Sequence, residues 1–332
     1  MKTAIKIKNL TKGFEDNNQI LPNWLVSKSR RKTFYAVKNV TFDVKEKEIF
    51  GILGPNGCGK STVIRMMSTL LMPDSGSIQI FGIDPVKKPD EIKKIINRVS
   101  VEASFFKRLS AKENLLYAAR LYGIDDSSAT KKFTAILKEL NFPEDKINDQ
   151  MMKFSRGMQQ KVSIARGFIT DPTLILLDEP TTGLDPKSKL DVQLFIARVH
   201  RERDLTIIIS SHDMEEIERI CDRIAIMDRG KVIAIGTSDE LKKLVMKEDL
   251  YEIDSSNSSK TKKIVENIKQ IHNVHIESKK VRFTTKNISE IADKLTTELK
   301  KNNIKFKHLT KIVPSLEDVF LELTGKSLEG EE

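Results

Sequence analysis

The nine residues Gly54–Thr62, "GPNGCGKST", decide how the rest of the chain is read. Their spacing, G-x-x-x-x-G-K-[ST], builds a loop for phosphates. Gly54, Gly57 and Gly59 let the backbone curl so that successive N–H groups point inward at phosphate oxygens. Lys60 supplies a point charge for the β- and γ-phosphates, and Ser61 can ligate Mg²⁺. Pro55, Asn56, Cys58 and Thr62 complete the candidate nucleotide-binding set. Upstream, "EIFGIL" reads as a strand running into the loop. Downstream, "STVIRMMSTLL" has helical spacing, so a helix would add its positive N-terminal end to the anion site.

A second stretch supplies what a Mg-nucleotide site still lacks. In "TLILLDEP", four apolar residues read as a buried strand that brings Asp178 and Glu179 to its C-terminal edge. In a doubly wound sheet that edge lies beside the phosphate loop. Asp178 would hold Mg²⁺ through a water ligand, and Glu179 could polarise the attacking water. Without the phosphate loop, the same stretch would read as a strand ending in two solvated acids.

The remaining text frames these motifs. With 332 residues, 39% hydrophobic and 31% charged, the chain has the composition of a folded protein long enough for two domains. No apolar run approaches a bilayer span, and the lysines of "MKTAIKIKNL" do not suit a signal peptide. Cys58 and Cys221 form no disulfide framework, which fits a reducing cytoplasm. The net charge of +10 is compatible with nucleic acid, an anionic membrane surface or a lysine-rich background, and does not choose among them. "TAIKIKNL" and "AVKNVTFDVKEKEIFGIL" read as N-terminal strands. The region from about Asp90 to Arg166 is mainly helical in pattern, with a Ser-x-x-Glu capping box opening "SAKENLLYAARLYG". "LTIIISSHD" reads as another buried parallel strand, and "DRIAIMDRGKVIAIG" as a hairpin turned at Arg229-Gly230. After about Gly236, strand-like and helical stretches alternate, as in a small separate α+β domain.

"GPNGCGKST", "FSRGMQQKV", "LILLDEPTTGLDP" and "SSHDMEEIE", in that order, resemble the ATP-binding cassette (ABC) ATPases over roughly residues 4–240. The resemblance implies an α/β phosphate-loop ATPase core with a mainly parallel sheet, an antiparallel N-terminal β part and a helical subdomain. It divides the chain into an ATPase domain at 1–240, with a helical subdomain near 90–166 and an insertion near 15–35, and a small α+β accessory domain at 241–332. "FSRGM" stands where the family has Leu-Ser-Gly-Gly-Gln. By resemblance, Ser155 and Gly157 open a helix that faces the γ-phosphate held by a second subunit. Asp185 of "TGLDP" communicates across that dimer, and His212 positions the γ-phosphate and attacking water. The C-terminal "VPSLEDVFLELTGK" resembles the end of ATPases from daunorubicin-resistance exporters.

The chain also departs from that pattern. Where the family carries a glutamine between its subdomains, "RVSVEASFFKRLSAKENL" offers Val101 or, with a one-residue gap, Glu102, whose charge would alter a contact to Mg²⁺-bound water. The adenine-stacking aromatic is Phe14 by family position. The segment "EDNNQILPNWLVSKSRRKTFY" makes Tyr35 a competitor, and its Trp24 and basic residues read either as an interfacial anchor or as a solvated loop. The function implied is the ATPase subunit of a two-component exporter. It would be peripheral on the inner face of the cell membrane, use ATP and Mg²⁺, form a head-to-tail homodimer and act on a separate permease. The alternative is a soluble ABC ATPase acting on ribosomes or nucleic acid. Two cysteine expectations complete the reading. Cys58, flanked by Lys60 and a helix N-terminus, should have a lowered pKa and react with alkylating agents unless MgATP covers it. Cys221 should be an inert packing residue.

Overall fold

The computed structural model describes residues 2–15, 33–100, 104–245, 248–312 and 314–325. Val101, Glu102, Trp24 and the basic run beside it lie outside the described residues. Two compact units divide between Thr237 and Ser238.

In the first unit, β1 (Thr3–Glu15), β2 (Thr33–Lys45), β3 (Ile49–Leu53), α1 (Lys60–Met67), β4 (Ser75–Ile80), α2 (Pro89–Ile95) and β5 (Ile96–Val99) come first. They are followed by α3 (Ala111–Leu121), α4 (Asp126–Glu139), α5 (Arg156–Phe168), β6 (Leu174–Asp178), α6 (Pro186–Glu202), β7 (Thr206–Ser211), α7 (Met214–Ile220), β8 (Arg223–Asp228) and β9 (Lys231–Gly236). A six-stranded sheet runs β5-β6-β7-β3-β8-β9, parallel except for β9, which returns antiparallel to β8. A three-stranded antiparallel sheet, β2-β1-β4, accompanies it.

The burial pattern explains the strand assignments. β3, β6 and β7 are buried at every position, which is why they read as continuous apolar runs. β2 instead alternates from Val40 to Lys45, with Val40, Phe42 and Val44 inward, as expected of a sheet with one wet face. Phe42 stacks on Phe50 of β3 at a 5.2 Å ring separation. The turn at Arg229-Gly230 has both residues at positive φ, 45° and 78°, the requirement of a tight primed hairpin. The Ser110/Glu113 capping box forms at the start of α3.

One strand was not legible. β5, "INRV", falls inside the stretch that reads as helical, because Asn97 and Arg98 interrupt any apolar run. It is placed by its parallel pairing with β6, Arg98 opposite Leu176, which no local pattern announces.

The second unit holds α8 (Ser238–Val245), β10 (Asp249–Ser255), α9 (Ser258–Glu266), β11 (His272–Glu277), β12 (Lys280–Thr285), α10 (Ile288–Lys301), β13 (Phe306–Ile312) and α11 (Leu316–Thr324). Its antiparallel sheet runs β11-β12-β10-β13, a β-α-β-β-α-β arrangement from β10 onward. Ile253, Val281 and Phe283 on the sheet pack with Val265 of α9 and Ile291, Leu295 and Leu299 of α10. The three α10 residues recur every four positions, so one helix face is apolar.

Candidate functional site

β3 delivers the chain into the phosphate loop, and α1 begins at Lys60. Gly59, at φ 110°, sits where a Cβ would collide with the Ala36 carbonyl oxygen, so the turn into α1 admits only glycine without rearrangement. Lys60 is only 5% exposed. Its Nζ donates to the carbonyl oxygens of Gly54 at 2.6 Å and Pro55 at 3.1 Å. The same Nζ lies 3.1 Å from Glu179 Oε1.

The carboxylates stand at the end of β6 as the apolar run demands. Asp178 is 2% exposed. Its Oδ1 accepts from Ser61 Oγ at 2.8 Å and Ser210 Oγ at 2.9 Å, while Oδ2 accepts from Arg98 Nη2 at 2.9 Å. Glu179 adopts φ 51°, a left-handed conformation that side-chain-bearing residues hold only when their surroundings enforce it. Here its backbone N–H is held by Ser210, at 3.1 Å from the carbonyl oxygen and 3.2 Å from Oγ. Glu179 Oε2 accepts from Thr182 Oγ1 at 2.6 Å and meets His212 Nδ1 at 2.8 Å. Lys60, Glu179 and His212 therefore form one connected line from the phosphate loop to the end of β7. Behind it, the buried Glu216 accepts from Thr181 Oγ1 and Ser211 Oγ, both at 2.7 Å, and ties the loop after β6 to the residue before His212. Burial holds the Glu216 carboxyl above its ordinary pKa, with the two hydroxyls pulling the other way.

A recess of about 510 Å³ opens over the loop, lined by Phe14, Phe34, Ala36, Asn56, Gly57, Gly59, Lys60, Ser61, Thr62, Arg65, Glu179 and Thr182. Gly54 and Cys58 lie behind it, packed against one another. Phe14 and Phe34 are cross-strand partners on β1 and β2, 43% and 60% exposed. Tyr35 is not in the lining, because neighbouring strand residues face opposite ways; it lies against Gly13 instead. Phe34 is the aromatic that the sequence reading missed, and the register with Phe14 is the signal that finds it. Phe34→Ala is expected to weaken ATP binding about fivefold, a typical loss for one ring contact. Tyr35→Ala should leave it within twofold by fluorescent-nucleotide titration, and equal effects would refute the assignment.

Cys58 requires a correction. It is 4% exposed, and burial raises its thiol pKa against the lowering pull of the Lys60 charge and backbone N–H. The low-pKa, nucleotide-protected thiol expected from the motif is not what the fold makes. Cys58 should alkylate slowly at pH 7.5 with or without MgATP, and promptly once the chain is unfolded. Rapid labelling of the folded protein, read by mass spectrometry, would contradict this. Cys221 is also held well above its ordinary pKa by burial, its sulfur packed against Gly51 of β3.

The signature residues gather elsewhere in the first unit. Ser155 caps α5 by accepting from Met158 N at 3.3 Å. Gly157 packs against Asp185 and Ser188, so a Cβ there would lie 2.5 Å from Ser188 Oγ. Asp185 caps α6, and its hydrogen bonds from the Ser188 side chain and backbone hold its carboxyl below the ordinary range. Arg156 lies across Gly183.

A phosphate loop on a parallel sheet, two acids on the next strand but one, and a histidine against the second acid define a nucleoside-triphosphate hydrolase of the phosphate-loop class. Residues 37–182 match the family described as "ABC transporter", and residues 236–324 match "ATP-binding protein DrrA1-3-like, C-terminal domain". The chain is 32% identical to the linearmycin resistance ATP-binding protein LnrL of Bacillus subtilis, over 88% of this chain and 94% of that one. It is 33% identical to the bacitracin transport ATP-binding protein BcrA of Bacillus licheniformis, over 98% of each. A dimeric post-hydrolysis structure of the ATP-binding cassette MJ0796 with ADP and Pi superposes with a TM-score of 0.61 at 28% identity, covering 70% of this chain and 98% of that one. The chain belongs to the ATP-binding subunits of ABC transporters, in the export branch, and is an ATPase. The ribosome or nucleic-acid alternative is not favoured by these relatives.

Proposed function

We propose that two copies of this chain pair head to tail around two ATP molecules and drive a separate membrane-embedded permease from the inner face of the cell membrane. The observation that carries the pairing is where Ser155 and Gly157 sit: at the start of α5, with Gly157 beside Asp185 and Ser188, and both outside the lining of the recess over the phosphate loop. A γ-phosphate seated on Lys60 is therefore met by Ser155 of a second copy, whose helix N-terminus suits an anion. Ser61 and Asp178 offer hard oxygen donors within 2.8 Å of each other, which fits Mg²⁺ held by one carboxylate side and by nucleotide phosphates. When bound, Mg²⁺ neutralises charge on the β- and γ-phosphate oxygens. Lys60 contacts the same oxygens, Glu179 takes a proton from the attacking water, and His212 keeps the Glu179 carboxylate turned toward it. Ser155, Gly157 and Asp185 act across the dimer.

Among the described residues no helix is long and apolar enough to cross a membrane; a separate membrane partner is supported by relatives named as ATP-binding proteins of resistance and transport systems. Its dock is supported by a groove of about 340 Å³ between β5 and the helices, where Phe106, Tyr117 and Tyr122 are all about half exposed. The relatives named for linearmycin resistance and bacitracin transport support an antibiotic as cargo.

Complementation tests the pairing. Lys60→Ala and Ser155→Arg should each be inactive. Mixed, they should regain up to about a quarter of wild-type ATPase activity, because half the pairs are mixed and each holds one intact composite site. No activity above the separate variants would sink the head-to-tail arrangement.

A further inference from the structure

Asp178 already has partners within the fold before any metal is considered. Both its oxygens are taken: Oδ1 by the hydroxyls of Ser61 and Ser210, Oδ2 by the guanidinium of Arg98 at 2.9 Å. Arg98 comes from the polar strand β5, with its side chain 19% exposed against 3% for Asp178. Among the described residues its Nε is buried without a hydrogen-bond partner, and Asp178 is the acid its guanidinium reaches. A full positive charge therefore faces the carboxylate that the nucleotide's metal must use.

We propose that Arg98 sets the strength of Mg²⁺ binding in the nucleotide site by offsetting the charge of Asp178 from the Oδ2 side. The proposal rests on the Mg²⁺ site described above. Two consequences separate it from a merely structural tie between β5 and β6. A tie, once cut, loosens Asp178 and weakens metal binding. A charge offset, once removed, leaves a buried carboxylate with an unpaired oxygen and strengthens the pull on a divalent cation. The sign of the effect decides between them. Charge is the operative property, so lysine should substitute where glutamine cannot, despite losing the fork geometry.

The test measures binding without turnover, using Mn²⁺ as the probe and its electron paramagnetic resonance signal as readout, with a non-hydrolysable ATP analogue present. Arg98→Gln should bind Mn²⁺ about tenfold more tightly than wild type, an effect of one nearby charge at intermediate dielectric. Arg98→Lys should stay within about twofold of wild type. Arg98→Met is measured alongside and should follow Arg98→Gln, so that misfolding of one neutral variant leaves the other to decide. Asp178→Asn is the control, expected to lose binding. If Asp178→Asn binds as wild type does, the metal site itself is misplaced and both readings fall. If that control behaves and the neutral variants bind Mn²⁺ equally or more weakly than wild type, the role assigned to Arg98 is wrong while the site stands.

Discussion

Glu179→Gln should lower ATP hydrolysis by roughly 10²–10⁴-fold, the usual loss of a general base, while ATP still binds. The substitution is nearly isosteric, so the left-handed turn at residue 179 and its backbone bonds to Ser210 should persist. What goes is the anionic oxygen that stands 2.8 Å from His212 Nδ1 and 2.6 Å from Thr182 Oγ1. An amide cannot take a proton from water. Nucleotide affinity should survive because the loop N–H groups, Lys60 and the Phe14–Phe34 pair are untouched. With hydrolysis stopped, the ATP-bound pair should accumulate, and light scattering in ATP and Mg²⁺ should report twice the chain mass. A variant that still turns over within tenfold of wild type would place the base elsewhere.

Lys60→Ala should abolish measurable hydrolysis and also destabilise the fold by about 3 kcal/mol, because it strips one partner from a buried ion pair. Lys60 and Glu179 side chains are 4% and 8% exposed, so solvent cannot take the place of the missing ammonium. The carbonyl oxygens of Gly54 and Pro55 lose their donor at the same time. Combining Lys60→Ala with Glu179→Ala should recover part of the stability and none of the activity, since the unpaired charge is removed along with the base. Chemical denaturation of the three variants measures this. A double variant no more stable than Lys60→Ala would show that the Glu179 charge is not the source of the loss.

Both predictions use residues that the sequence already marked, and the reason is local. Gly54–Thr62 must follow a strand and open a helix, and the flanking runs "EIFGIL" and "STVIRMM" say so without tertiary information. Asp178 and Glu179 follow an apolar run long enough for one buried strand, and such strands end where an α/β sheet keeps its ligands. Capping boxes and the Arg229-Gly230 turn are local too, set by side chains within three or four residues of the backbone groups they satisfy.

The rest was decided by pairings between distant residues. Which aromatic faces the recess depends on the Phe14–Phe34 register, since strand alternation sends Phe34 and Tyr35 to opposite sides whatever the composition of the segment before them. Cys58 has the neighbours of an activated thiol in sequence, but the fold packs it behind the loop with Gly54, and the desolvation of a thiolate there outweighs the nearby charge. Arg98 reads as a polar interruption of a helical stretch until β5 pairs with β6 and carries it to Asp178. Sequence spacing by itself determined that this chain carries a nucleotide-binding phosphate loop and marked the two acids proposed to attend it. Only the tertiary structure decided the charge around those acids, because burial and cross-strand contact are properties of segments brought together and of neither segment alone.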